Sequence, residues 1–302
     1  MTKFLPILCL IASFFLLKSA LAGAPITALK PGITPVNFKQ SVSFSPPKGD
    51  VQIKKCAPAL QPHRAEYEIT LHKSTNPEIA DVKGTLTVQL ADVGNGWTFE
   101  QHSTLQVYSN DGSAEQYITT IVSWESKDGR YYRFNVRSLH NGVEEDCVRG
   151  NAAPSTTGEG VMLNYEQPTI IKKTLPGGVL FPIQHLQQAL FAAASGQNSL
   201  PNKTVFDGSS EAFEPVEVNT IITPVNNLKL VVNDPRLLCT DKAWSLQMAI
   251  FPQNSQSPDP EYEISQIILP SGIIASMVME YGEGFSTQLT LKKVDVFSPA
   301  QN

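Results

Sequence analysis

The chain has 302 residues, is 41% hydrophobic and 17% charged, and carries 23 Lys+Arg against 28 Asp+Glu for a formal net charge of −5. That is enough apolar material to build a sizeable core and too much for a wholly disordered chain. The acidic balance argues against a general nucleic-acid binder, which needs a positive field over its phosphate-facing surface.

Residues 1–22 read as a secretory signal: Lys3 supplies the positive start, Phe4 to Leu17 the apolar stretch, and Ala20-Leu21-Ala22 before Gly23 a small-x-small cleavage site. The apolar run is 14 residues long and interrupted by Pro6, short of the roughly 20 that a membrane-spanning helix needs. Cys9 has no small-residue lipobox before it, and no later segment approaches membrane length. Export with cleavage between Ala22 and Gly23 is expected, leaving a mature chain without a transmembrane segment.

Residues 23–62 form a Pro-rich basic stretch, with seven prolines among 40 residues and five lysines against the single acid Asp50. Such a composition resists both helix and sheet and reads as a tail or linker. The remaining body, 63–302, carries a charge of −11 and reads as one β domain.

From His63 onward the apolar period is two. Ala65, Tyr67, Ile69 and Leu71 alternate with polar residues, as do Leu86, Val88 and Leu90. Strands are predicted over 97–108, 117–124 and 131–139, separated by Asn110-Asp111-Gly112 and Lys127-Asp128-Gly129 and followed by Asn141-Gly142. Strands joined by such turns make an antiparallel meander. Glu144-Glu145-Asp146, which lacks the six to eight oxygens that calcium takes, reads as a solvated turn.

One segment changes period. Phe181-Pro182 opens a run in which Ile183, Leu186 and Leu190 share a face and which Gly196 ends. This predicts one amphipathic helix of about 13 residues, packed on the sheet or plugging an open end of it. Strands resume near Val205 and over 216–222, 228–232, 244–251, 262–269, 273–281 and 285–294, with loops at 233–242 and 252–260.

Export favours pairing of thiols. Cys56, Cys147 and Cys239 allow three pairings; Cys147 with Cys239 is preferred because Cys56 sits in the tail, and Cys56 is the alternative partner. No zinc or redox spacing is present, and no GxSxG, HExxH, P-loop, dinucleotide or EF-hand motif. The five histidines (63, 72, 102, 140 and 185) are scattered, and Trp97, Trp124 and Trp244 sit on separate strands, where core packing is the default. No catalytic residue, metal ligand or cofactor is assigned, and a non-enzymatic role is expected.

A series of short phrases carries a resemblance: His63-Arg64-Ala65-Glu66-Tyr67, Gly96-Trp97, Trp124-Glu125-Ser126-Lys127-Asp128-Gly129, Leu175-Pro176-Gly177-Gly178, Phe181-Pro182-Ile183-Gln184-His185, and Phe206-Asp207-Gly208. Near the end stand Pro260-Glu261-Tyr262-Glu263, Ser271-Gly272-Ile273, and Glu280-Tyr281-Gly282-Glu283-Gly284-Phe285. In this order they resemble the EipB family of cell-envelope integrity proteins of Gram-negative bacteria, over residues 63–295. The resemblance implies a periplasmic protein folded as a spiral-like, incompletely closed antiparallel β-barrel with a helix at its mouth, similar to the lipoprotein carriers LolA and LolB. It implies a part in envelope integrity and stress resistance, a tetratricopeptide-repeat periplasmic partner, and no catalytic residues. The family's disulfide joins an early strand to the C-terminal region and has no counterpart here, because no cysteine follows Cys239. Two roles follow: docking of a periplasmic protein, or carriage of lipid or lipoprotein acyl chains in the unclosed barrel beneath Phe181, Ile183, Leu186 and Leu190.

Overall fold

The computed structural model describes residues 58–156, 159–208, 214–226, 228–232, 242–281 and 284–298. The expected export signal and most of the Pro-rich stretch lie outside the described residues.

Eight strands follow one another from the start of the body: β1 (His63–Ser74), β2 (Ile79–Asp92), β3 (Gly96–Ser109), β4 (Ala114–Ser126), β5 (Tyr132–His140), β6 (Val143–Pro154), β7 (Val161–Gln167) and β8 (Ile171–Leu175). Helix α1 (Pro182–Ala194) then leads to β9 (Ser199–Val205), β10 (Val216–Val225), β11 (Ala243–Pro252), β12 (Tyr262–Ile268), β13 (Ile274–Tyr281) and β14 (Phe285–Val296). Two antiparallel meanders result, joined edge to edge where β1 pairs with β14, so that all 14 strands form one sheet running from β8 to β9. The two edges do not pair as a ladder. Leu180, between β8 and α1, lies against the β9 end instead: it donates to the Thr204 carbonyl at 2.9 Å and accepts from the Phe206 N–H at 2.9 Å. The sheet is therefore curled into a barrel-like form that stays unclosed.

Register follows burial. β1 alternates buried and accessible residues from His63 to Thr70, and a slip of one residue would turn Ala65, Tyr67 and Ile69 out to solvent. The outer face of the β1–β14 pair carries ion pairs such as Glu68 with Lys292 at 2.8 Å and Glu66 with Lys293 at 3.3 Å. All four side chains are about half exposed, and such pairs are worth about 0–1 kcal/mol each, so the apolar face sets the register. At the β5–β6 turn Asn141 (φ 49°) and Gly142 (φ 81°) both adopt the left-handed conformation that a two-residue hairpin demands, as their sequence predicts.

Three expectations need correction. Glu144-Glu145-Asp146 belongs to β6 and is not a turn. Residues 143–175 hold three strands that the apolar pattern does not announce. Conversely, Leu228–Val232 is not a strand among the described residues; Leu228, Leu230 and Val232 pack on the core without joining the sheet.

The interior divides in two. A larger apolar cluster draws on β1–β3, β9–β14 and α1; a smaller one is built from β4–β8 with Val179, Phe181 and Phe206. Between them the inward positions turn polar, with Gln101 and Ser103 on β3 and Thr119 and Ser123 on β4 all buried. The strands approach closely at Gly84, where an added Cβ would collide with the Thr104 carbonyl and meet Leu105 Cδ1 at 3.0 Å. Gly84→Ala is expected to lower the unfolding free energy by about 2 kcal/mol through overpacking, as measured by urea denaturation; an unchanged midpoint would contradict this packing.

Candidate functional site at the helix-covered end of the sheet

Pro182 occupies the first turn of α1, where its fixed φ suits the helix and its missing N–H is no loss. Neither the N-cap residue Phe181 nor any acid in the first turn caps the free N–H groups. That role falls to Glu125 on β4. Its carboxylate accepts the Ile183 N–H at 2.7 Å and the Gln184 N–H at 2.8 Å. Glu125 is only 2% exposed, and burial pushes its carboxyl up to about 8 although the two N–H bonds pull the other way.

The hairpins beside Glu125 brace this anchor. The Gln184 amide lies over Gly129, where a Cβ would come within 2.5 Å of Nε2. Lys127 Nζ sits 2.6 Å from Asp92 Oδ2 and 3.9 Å from the centre of the Trp97 ring. Its N–H donates to the Asn95 carbonyl at 3.2 Å, which ties the β4–β5 turn to the β2–β3 turn. Phe181 stacks on Tyr132 at 5.0 Å, and Tyr132 donates its hydroxyl to the Asp207 carbonyl at 2.9 Å. Gly96-Trp97, the Trp124–Gly129 phrase, Phe181–His185 and Phe206-Asp207 thus converge on the start of one helix.

Farther along α1, Leu186 and Leu190 face Gly272 in the β12–β13 turn. The entering chain is fixed there as well: Ala59 donates to the Pro270 carbonyl at 3.1 Å and Gln61 to the Ser271 carbonyl at 2.9 Å. Residues 59–61 therefore belong to the folded body. His63, buried, donates Nδ1–H to the Gln61 carbonyl at 2.7 Å, while Gln61 Nε2 donates to the Phe297 carbonyl at 2.6 Å. His185 is buried too, and among the described residues its Nε2 has no partner. Burial pushes both imidazoles down to about 4, so both are neutral near pH 7.

A groove of about 650 Å³ runs along the solvent side of α1. One wall is Pro58–Leu60, the other carries Gln184, Gln187 and Gln188, and Leu190, Phe191 and Leu200 supply apolar surface. No lining residue is ionisable. Of the four side chains expected at the helix, Phe181, Ile183 and Leu186 pack into the interior, and Leu190, also buried, contributes to the groove. The helix thus turns outward a face that its apolar period does not describe, with Phe191 68% exposed.

Other candidates disperse. Cys147 is a free thiol on β6, partly buried, and donates to Gln167 Oε1 at 3.3 Å; burial raises its pKa. Cys56 and Cys239 lie outside the described residues. Glu144 pairs with Arg137 at 2.5 Å and Glu145 lies 3.3 Å from the His140 imidazole, so both acids have partners across the β5–β6 hairpin. Among the described residues no group of three or more His, Cys, Asp and Glu is arranged to hold a metal ion. Trp97 and Trp244 are core residues, while Trp124 is half-buried beneath Arg133. No helix of the described residues is long and apolar enough to cross a membrane.

Sequence reasoning missed Glu125 as an anchor, although a signal was present. Tyr117, Thr119, Ile121 and Ser123 point inward on β4, and continuing that alternation puts a carboxylate inside. A charge in an inward position needs a partner of its own.

A family model described as EipB-like matches residues 54–298. Among solved structures, the chain resembles a "beta-barrel-like protein of domain of unknown function DUF1849" from Brucella abortus, with a TM-score of 0.72 and 23% identity. The match covers 80% of this chain and 100% of that one. No curated protein matches the chain.

Proposed function

Because the chain belongs to the EipB-like family, we propose that it is an exported, periplasmic protein of a Gram-negative bacterium that maintains the cell envelope by docking another protein, without catalysis. The observation that carries this reading is the outward face of α1. A helix anchored at its start by Glu125 and seated on buried apolar side chains presents Phe191, 68% exposed, beside a concave uncharged groove. A large exposed aromatic at a concavity on a rigid support is what a protein interface uses as an anchor.

The shifted groups support a structural assignment. Glu125 holds the helix, His63 holds the entering chain, and His185 is buried on the inner face of α1; none of the three lines the groove. A catalytic site would bring such groups to a cavity. The partner proposed is a tetratricopeptide-repeat protein of the periplasm, whose concave surface suits a convex barrel. One observation favours a second reading: 650 Å³ with apolar lining lies within the range of small-ligand pockets, about 300–1,000 Å³. On that reading an acyl chain lies against Leu190, Phe191 and Leu200.

Mild affinity purification of the tagged mature protein from its own envelope separates the two. Docking predicts a stoichiometric repeat protein that is lost, at least tenfold, with Phe191→Asp. Stoichiometric lipid in place of that protein would establish the carrier and overturn docking.

A further inference from the structure

The groove is a place where a strand could be added. Ala59 and Gln61 turn their N–H groups to the β12–β13 turn. Leu60, between them, gives neither its N–H nor its C=O to that turn. Neither group of Leu60 bonds to any described residue, and Leu60 is part of the groove wall. Across the groove stand Gln184, Gln187 and Gln188, with Gln197 nearby. An amide side chain carries both a donor and an acceptor and so matches the peptide group of a passing chain. The lining contains no charge, in a protein of which 17% of residues are charged.

These features select among occupants. A charged helix or a phosphate group would find no counter-charge. A free acyl chain would satisfy Leu190, Phe191 and Leu200 but would leave the Leu60 backbone and the glutamine amides unpaired, at a cost once they are shielded from water. An extended peptide with uncharged side chains satisfies both sets: its backbone pairs with Leu60 and the glutamines, and its alternate side chains reach the apolar surface.

We propose that the groove between Pro58–Leu60 and α1 is a peptide-docking site that takes an extended, uncharged segment of the partner protein by strand addition to Leu60. The proposal rests on the docking role above and names the chemistry of the segment.

A displayed library of random nonapeptides, selected on the complete mature protein, tests it without reference to any envelope partner. Enrichment is expected for uncharged peptides with apolar residues at alternate positions. Synthetic versions should bind at least tenfold more weakly to Gln188→Glu, an outward-facing change that leaves the core alone, and to Leu60→Pro, which removes the N–H. Circular dichroism confirms folding of both variants; if Leu60→Pro fails to fold, Gln188→Glu decides alone. Absence of enrichment, or equal binding to wild type and Gln188→Glu, would overturn the proposal. So would displacement of bound peptide by laurate at stoichiometric amounts, which assigns the groove to acyl chains. A concentration-dependent dimer abolished by Phe191→Asp would assign it to a second copy. Peptide binding that appears only after deletion of residues 23–53 would assign it to the chain's own N-terminal segment. Failed peptide selection, with the repeat protein still captured by wild type and lost with Phe191→Asp, would overturn the peptide site and leave the docking role standing.

Discussion

Glu125→Ala should destabilise the fold by about 3 kcal/mol or more. The carboxylate is the only described acceptor for the Ile183 and Gln184 N–H groups, and it is 2% exposed. Each buried donor left without a partner costs about 1–3 kcal/mol, and truncation adds a cavity. Removing a buried acid could in principle stabilise, since burying a charge is costly. That gain is small here because the carboxyl, pushed up to about 8, already holds its proton at pH 6.5 and is not buried as a charge. Its oxygens still accept, so the loss of two hydrogen bonds decides the sign. Glu125→Gln keeps the shape and one acceptor and should cost less, about 1–2 kcal/mol. Urea unfolding at pH 6.5 measures both, and two variants within about 0.5 kcal/mol of wild type would contradict the anchor. The alanine variant should also lose peptide binding, because α1 forms one side of the groove.

Stability should pass through a maximum near pH 6.5. His63 and His185 are pushed from the usual 6.5 down to about 4 by burial, so between these values the unfolded chain holds more protons. Their contribution is present above pH 6.5 and is lost as pH falls towards 4. Glu125, raised from 4.5 to about 8, has the opposite sign: its folded form holds the extra proton, and stability is lost as pH rises through that window. From pH 4.5 to 6.5 two histidines oppose one glutamate, and the net gain is about 1.4 kcal/mol per pH unit. From 6.5 to 8 only Glu125 acts, and the loss has the same size, about 1.4 kcal/mol per unit. Urea midpoints between pH 4.5 and 8.5 should trace this arch, and Glu125→Gln should flatten its alkaline limb. A wild-type profile that is flat from 6.5 to 8 would show that Glu125 does not take up a proton on folding.

The legible parts of the fold were those with local causes. β1 to β5 and β10 to β14 alternate apolar and polar residues because one face is covered and the other is wet, which a period of two records directly. The helix runs from Pro182 to Ala194, as its proline start and glycine stop imply. β6 was illegible for a packing reason. Its inward positions include Val148, Gly150 and Ala152, and a Cβ at Gly150 would come within 2.7 Å of Phe134 Cζ. The bulk that an inward strand position ordinarily shows is supplied there by the rings of β5, so β6 needs small residues and loses its apolar signal.

The family phrases were legible as an order of residues and illegible as a site. Gly96-Trp97, Trp124–Gly129 and Phe181–His185 lie far apart in the chain and meet around one helix start, the Glu125 carboxylate bridging 58 residues to Ile183. The groove left no mark at all, since Leu60, Gln188 and Leu200 come together only when the entering segment, the helix and β9 pack side by side. By itself, then, the sequence determined the strand-rich meander, the helix that starts at Pro182 and the family, because hydrophobic period and turn chemistry are properties of neighbouring residues. The helix anchor, the depth at which His63 and His185 lie and the uncharged groove were decided by the tertiary structure alone, because each depends on which distant surfaces exclude water from one another.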